Sequence, residues 1–311
     1  MIPGLFPLAA PAGTIHFVYP FDESRIAAPW SIGNHVAAGL RAAGYAVKQY
    51  DWTDQRAIFP GLGDVLLGHP HTEGGYVFRN SISSHWRKRI ALAPWNGDAA
   101  TGPYAMARML PALRGGLDLF LGICGPHWAA RPPAGVAFRA VDMAADASRF
   151  PGRLAGRAAP AGRRSYLYAG CTVPDKGTAL LEQIIALMPG ARWGHVGYGQ
   201  VAGCHEFGYV PVESPAWREI VDQFDFVVSP GLADANPTVL LEGALCGLIP
   251  ICTRAAGWDC WPLISSDPVV AAAELLRWQW EPLEEHQRKC RAIAEAYTWE
   301  RFMRPVLEAV A

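Results

Sequence analysis

Short apolar runs rich in β-branched and aromatic residues recur along this chain, and most are separated by segments with helical spacing. In the first half TIHFVYPF (14–21), YAVKQYDW (45–52), DVLLGHP (64–70), KRIALAPWN (88–96) and LDLFLGICG (117–125) read as strands, with helices over SIGNHVAAGLRAAG (31–44) and YAMARMLPALRG (104–115). The rhythm restarts with RSYLYAG (164–170), ARWGHVGYG (191–199), HEFGYVP (205–211), DFVVSPG (225–231) and LIPICT (248–253), joined by KGTALLEQIIALMPG (176–190), SPAWREIVDQF (214–224) and VLLEGALC (239–246). Strands that alternate with helices need crossover connections, which produce mainly parallel sheets covered on both faces.

Between the halves, FPGRLAGRAAPAGRR (150–164) is rich in Gly, Pro, Ala and Arg without periodicity and reads as a linker. The expected architecture is therefore α/β, with two Rossmann-like domains, 1–150 and 151–296, whose parallel sheets face an interdomain cleft. The last stretch, from Glu284 to Val310, reads as a helix, a break near Tyr297 to Trp299, and a further helix.

With 51% hydrophobic and 18% charged residues among 311, the chain can bury a large core, and a net charge of −1 argues against a nucleic-acid partner. Seven cysteines include no CxxC pair and read as reduced thiols of a cytoplasmic protein. No apolar run approaches the roughly 20 residues of a membrane span, and MIPGLFPLAAPA at the start reads as a tail rather than a signal peptide. No His, Cys and carboxylate cluster has metal-ligand spacing, and no G-x-G-x-x-G follows the first strand, so neither a metal nor a nicotinamide cofactor is expected.

The most informative stretch is DANPTVLLEGALCGLIPIC (234–252). Asn236 can cap a helix and Pro237 suits its first position, leaving free N–H groups from Thr238 and Val239 onward. Such a helix starts at the carboxyl end of a strand, the edge where parallel sheets bind ligands and helix N-termini hold anions. Glu242, one turn beyond Thr238, is the lone charge on an otherwise apolar helix. It is either an exposed carboxylate or an acceptor for a ligand's hydroxyls, because a buried unpaired carboxylate costs several kcal/mol. Gly33, read as opening a helix after the first strand, would let the backbone approach a sugar or phosphate. His69, His71 and His127 lie at or just beyond strand ends, where a histidine is either structural or part of a site.

These residues resemble the retaining glycosyltransferases of GT-B fold, the family 4-like group also called glycosyl transferases group 1. That group has two acidic residues separated by seven. Asp234 and Glu242 stand at this spacing, with Asp in place of the usual first Glu, and PTVLLEGALCGLIPICT looks like the surrounding pattern. LYAGCTVPDKG (167–177) is similar to a segment that ends in K-G, with Cys171 where the group has arginine. HVGYGQ (195–200), FGYVP (207–211), AADASRFP (144–151) and AYTWERF (296–302) resemble further segments in the group's order. The resemblance covers 140–311, and over 14–139 it is architectural only.

The resemblance implies a hexosyltransferase that uses a nucleotide-sugar, works with retention and without a metal, and delivers to a glycan, lipid or small-molecule acceptor. The first domain would hold the acceptor, the second the donor, and residues 297–311 would return to the first. It assigns Glu242 to the ribose, Asp234 to the transferred sugar, and Pro237, Thr238 and Val239 to sugar or diphosphate oxygens. Lys176 would neutralise the leaving diphosphate, with either another arginine, such as Arg254, in place of the missing one or a donor bound more weakly, and His127 joins Asp234 and Lys176 as a candidate catalytic residue. Gly33, Gly199 of the G-x-G exit and Val210 of the FGYVP turn complete the donor site. Arg87, Lys88 and Arg89 form a basic cluster that some relatives set against the inner membrane face, the other reading being a solvated helix end. The alternative to an enzyme is a degenerate nucleotide-sugar-binding partner subunit.

Overall fold

The computed structural model of the protein describes residues 13–21, 28–70, 76–94, 116–124, 135–150, 160–234 and 236–311. The chain divides into two compact units, Met1–Asp142 with Trp299–Ala311, and Met143–Thr298.

The first unit holds a six-stranded sheet of β1 (Thr14–Val18), β2 (Ala46–Tyr50), β3 (Val65–Gly68), β4 (Lys88–Pro94), β5 (Leu119–Ile123) and β6 (Ala137–Val141), in the order β2-β1-β3-β4-β5-β6. Every pairing is parallel. The central strands are buried along most of their length, with Leu66, Leu67, Ile90, Leu92 and Leu121 fully enclosed, as strands covered on both faces must be. Strand β6 was not legible in the sequence. It is an edge strand, and three of its five residues, Ala137, Arg139 and Ala140, are exposed, so no apolar run announces it. Helix α1 (Ala28–Ala42) begins earlier than the expected Ser31, which places Gly33 inside the helix rather than at its opening. There a Cβ would lie 2.3 Å from the carbonyl oxygen of Pro20, so Gly33 lets α1 lie against the exit of β1. A short helix, α2 (Val77–Ser81), follows β3.

The second sheet contains β7 (Ser165–Ala169), β8 (Arg192–Val196), β9 (His205–Glu206), β10 (Phe226–Ser229), β11 (Ile249–Thr253) and β12 (Leu263–Ile264), again wholly parallel. Its order is β12-β11-β10-β7-β8-β9. The chain builds outward from β7 to β9, then returns to place β10 on the other side of β7. Adjacent strands whose connections leave in opposite directions open a crevice at their carboxyl ends, and in this sheet that switch lies between β7 and β10. The described helices are α3 (Thr178–Leu187), α4 (Pro215–Val221), α5 (Thr238–Leu245), α6 (Pro268–Trp278) and α7 (Leu283–Glu295). The expected strand HEFGYVP shrinks to the two residues of β9, and α6 was not singled out from sequence, although Asp267 caps it by accepting from the amides of Val269 and Val270.

The division falls at Asp142, before the expected linker, because the residues that follow are anchored in the second unit. Met143, Ala144, Ala145 and Phe150 are buried, the Ala145 amide donates to the Tyr297 carbonyl at 3.0 Å, and Arg149 grips Glu213.

After the break, α8 (Trp299–Val310) belongs to the first unit. It buries Phe302, Met303, Val306, Leu307 and Val310, and a Cβ on Gly39 of α1 would lie 2.8 Å from the tip of Met303. The basic cluster is neither a free surface patch nor a helix end. It begins β4 and meets the terminus of α8, where Arg87 donates to the carbonyls of Val310 at 2.6 Å and Ala311 at 2.7 Å and Lys88 donates to that of Ala309 at 3.0 Å. Cations at a helix C-terminus satisfy its orphan carbonyls and oppose the negative end of its dipole. Arg89 is engaged by both carboxylate oxygens of Asp118.

All seven cysteines are free thiols. Among the described residues no helix is long and apolar enough to cross a membrane.

Candidate functional site

The crevice between β7 and β10 is built by the two loops that leave those strands. After β7, Pro174–Lys176 form a 3-10 turn that ends at Gly177, whose φ of +71° is in the left-handed region. A Cβ on Gly177 would lie 2.1 Å from the carbonyl oxygen of Pro230, just past β10. The amides of Leu232 and Ala233 both donate to the Asp175 carbonyl, at 2.9 and 3.2 Å. These contacts stitch the two loops together and set Lys176 beside Asp234, with Nζ donating to Oδ2 at 2.7 Å. The K-G pair is thus explained sterically: only glycine fits that backbone and that gap. Replacing Gly177 with Ala is expected to cost about 1–3 kcal/mol from the left-handed backbone alone, with the carbonyl overlap added, and to lower the thermal midpoint by several degrees. Calorimetric unfolding of the variant checks this, and an unchanged midpoint would contradict it.

From Asp234 the chain runs to α5 in close register with the turn after β11. The amides of Asp234 and Asn236 donate to the carbonyls of Ala255 and Ala256, both at 3.2 Å, and Trp258 Nε1 donates to the Pro237 carbonyl at 3.3 Å. Asn236 does not cap the helix. It sits at φ +50°, a conformation Asn tolerates better than most residues, and its Nδ2 donates to the Gly257 carbonyl at 2.9 Å. Pro237 is itself the cap, one residue later than the expected Asn236, and provides no side-chain bond to the first turn. The amides of Thr238 and Val239 therefore head α5 uncapped by a side chain, at the carboxyl edge of the sheet.

Glu242 lies one turn further on and is half-buried. Burial, and then the negative charge of Glu213, push its carboxyl up from 4.5 to about 7, while a hydrogen bond from the Thr238 hydroxyl draws it partly back. A carboxylate so placed needs further hydroxyl donors to stay ionised in comfort. A cavity of about 280 Å³ is lined by residues that include Phe150, Val212, Glu213, Trp217 and Cys246. Arg149 holds Glu213 through one guanidinium nitrogen at 2.6 Å from both carboxylate oxygens.

The remaining site residues are dispersed in a way the topology explains. Gly199, at φ +96°, follows β8, and a Cβ there would lie 1.9 Å from Thr172 Oγ1, so it keeps the β8 exit close to the β7 exit. Val210 is half-exposed on the segment after β9. Cys171, in the arginine's place, is half-buried, and its carbonyl accepts from Tyr168 Oη at 2.8 Å. Arg254 is exposed on the turn after β11. In the first unit His69 is buried against Tyr19 and Trp52. His71 and His127 lie outside the described residues.

Sequence reasoning missed the groups that hold these loops. His195, fully buried in β8, joins Glu206 through Nδ1 at 2.5 Å and the Gly170 carbonyl through Nε2 at 2.9 Å, and Tyr168 stacks on its ring. The available signal was a histidine in the middle of an apolar strand, WGHV, which demands polar partners. The Glu213–Arg149 pair had no such signal, because its members are 64 residues apart.

No protein-family description matches this sequence, and no curated protein matches it. Among solved structures the chain is similar to a sucrose-phosphate synthase from Thermosynechococcus elongatus, at 13% identity and a TM-score of 0.73 over 96% of this chain and 98% of that one. It is similar to WaaG, a glycosyltransferase involved in lipopolysaccharide biosynthesis, at 14% identity and a TM-score of 0.62 over 95% and 98%. The fold is GT-B. A third GT-B likeness, to the pneumococcal O-GlcNAc transferase GtfA in complex with UDP and GlcNAc, has 13% identity and a TM-score of 0.55 over 79% of this chain and 56% of that one. Within a GT-B frame, the switch between β7 and β10 is where Lys176, Asp234 and the head of α5 come together.

Proposed function

We propose that this protein is a glycosyltransferase that moves a hexose from a nucleotide-sugar to a glycan, lipid or small-molecule acceptor, with retention and without a metal. The observation that carries this reading is the convergence of Lys176, Asp234, the uncapped amides of Thr238 and Val239, and Glu242 at one topological switch point. Each matches a part of the donor. The helix head and Lys176 suit a diphosphate, Glu242 suits a ribose diol, and Asp234 suits the hydroxyls of the sugar. As the glycosidic bond breaks, negative charge grows on the diphosphate, and Lys176 with the helix head stabilises it where it forms. The structures that resemble this chain include a transferase bound to UDP and GlcNAc, which supports a nucleotide-sugar donor.

Cys171, where the group has arginine, leaves the cationic side of the site thinner and favours one second reading, a partner subunit that binds the donor without turning it over.

The test is thermal unfolding with UDP, GDP, ADP, TDP and NAD. One nucleoside diphosphate is expected to stabilise the protein by about 2.7 kcal/mol at 100 times its dissociation constant. Stabilisation by NAD alone would refute the reading. Slow hydrolysis of the matching nucleotide-sugar, unchanged by excess EDTA, is expected of the enzyme. Binding without any hydrolysis would favour the partner subunit, and activity abolished by EDTA and restored by magnesium or manganese would overturn metal independence.

A further inference from the structure

Helix α6 (Pro268–Trp278) is apolar both on the side it buries and on the side it shows to solvent. Inward it sets Ala271, Ala272 and Leu275, and its exposed residues are Val269, Val270, Ala273, Leu276 and Arg277. Val269 is 64% exposed and Leu276 46%. Residues 269, 273, 276 and 280 follow one line along a helix, and Trp280, just past the C-terminal cap, continues that line at 72% exposure. The indole is braced from behind. The Gly162 amide donates to the carbonyl of the buried Gln279 at 2.8 Å, and a Cβ on Gly162 would lie 3.1 Å from the Trp280 ring. Leu187 of α3 and Leu263 of β12, on elements packed against α6, are exposed as well.

A surface helix ordinarily turns its charges outward, and the outer face of α6 carries only Arg277. A contiguous apolar face of this kind marks an interaction site, and the charges at its two ends say what covers it. At the N-terminal end stands the exposed carboxylate of Asp267, one oxygen of which caps the helix by accepting from the amides of Val269 and Val270 at 2.9 and 3.0 Å. Near the C-terminal end stands the exposed guanidinium of Arg277. The face is therefore complementary to itself. A second α6 laid antiparallel on the first, crossing near Ala273, sets each Asp267 opposite Arg277 of the other copy and the positive end of each helix dipole beside the negative end of the other. Ala273 at the crossing lets the two backbones approach, and Val269, Leu276 and Trp280 of the two copies cover one another. A lipid surface fits less well, because interfacial helices carry a Lys- and Arg-rich polar face, whereas the exposed residues after Trp280 include Glu281 and Glu284.

We propose that the outer face of α6 is the two-fold contact of a homodimer, with Trp280 as its anchor. The contact uses none of Lys176, Asp234 or Glu242, so it stands or falls separately from the nucleotide-sugar reading.

The experiment is sedimentation analysis of the wild type, Leu276→Glu and Trp280→Ala over the micromolar concentration range. The wild type is expected to sediment as a dimer. Two-fold symmetry makes each substitution count twice, so each variant should raise the dimer's dissociation constant at least about 100-fold. Both altered side chains are exposed, and circular dichroism should show both variants folded as the wild type is. In Ala273→Cys the two new thiols meet at the crossing. With glutathione disulfide as oxidant, which is reduced to two glutathiones, they should join as one intermolecular disulfide and trap the dimer. A wild type that stays monomeric at tens of micromolar overturns the proposal, as does a dimer that survives both Leu276→Glu and Trp280→Ala. Leu276-dependent binding of a monomer to phosphatidylglycerol vesicles would overturn it in favour of a membrane.

Discussion

Asp234→Asn should bind the free nucleoside diphosphate more tightly than the wild type and turn over the nucleotide-sugar far more slowly. In the ligand-free chain the Lys176 ammonium is already paired with Asp234 at 2.7 Å, and Asp234 is buried. A diphosphate must therefore compete with an internal carboxylate for that cation. Removing the carboxylate's charge removes the competitor, and affinity should rise several-fold, since a partly exposed pair contributes about 1 kcal/mol. The gain should shrink as salt is added. On the proposed function the intact donor behaves differently, because Asp234 would then meet the sugar's hydroxyls in a contact that strengthens as positive charge develops on the anomeric carbon. Turnover should fall about 10²–10³-fold, the scale of losing one group aimed at transition-state charge. Isothermal titration with the diphosphate, beside single-turnover rates with the sugar nucleotide, gives both numbers. Weaker diphosphate binding in Asp234→Asn would show that the pair positions Lys176 for the phosphates rather than withholding it.

Glu242→Gln should show the second large effect, and with opposite signs for stability and binding. The folded chain holds the Glu242 carboxyl near 7 against 4.5 for its ordinary value. Between these values the folded state binds a proton that the unfolded chain has released. The group's favourable contribution is thus complete below about pH 4.5 and is lost as pH rises through about 7. At pH 8 the ligand-free wild type carries a poorly solvated charge that the Gln variant lacks. The variant should therefore melt higher at pH 8 and nearly level with the wild type at pH 5. Binding runs the other way, because hydroxyl donors from a ribose favour the ionised form. Wild-type affinity for the nucleoside diphosphate should rise as pH increases from 6 to 8, with proton release on binding. The Gln variant should lose roughly 1.5–3 kcal/mol of affinity at pH 8 for a charge-assisted bond and show no such pH dependence. Melting curves at both pH values and titrations in buffers of different ionisation enthalpy measure these effects. A variant that is less stable at pH 8 would mean that Glu242 is satisfied within the chain and not waiting for a ligand.

Much of this molecule was legible residue by residue. The break at Tyr297 to Trp299 and the helices on either side are local matters, visible in the spacing of Phe302, Val306 and Val310. The strands of both sheets were found where they are buried on both faces, since such strands are continuous apolar runs. Edge strands β6 and β12 were missed because they are short and partly exposed, and exposure removes the apolar signal. Glu242 stood out for the same reason that it matters: one carboxylate on an apolar helix has no local solution.

What the sequence by itself determined was the repeated strand and helix, the two halves, and the chemical oddity of Glu242 between Thr238 and Gly247, all of which depend on neighbours a few residues apart. Only the tertiary structure decided where the charges go. Arg87 and Lys88 meet a helix terminus more than 220 residues away, and Lys176 meets Asp234 across 58 residues. It also decided that Gly177 and Gly33 are steric necessities, that Asn236 turns to the 257 loop instead of capping α5, and that Glu213 stands close enough to raise Glu242. Periodicity is set by local backbone geometry and can be read along the chain. Charge pairing and close approach depend on which loops the sheet order brings together, and the order β12-β11-β10-β7-β8-β9 is not a property of any one segment.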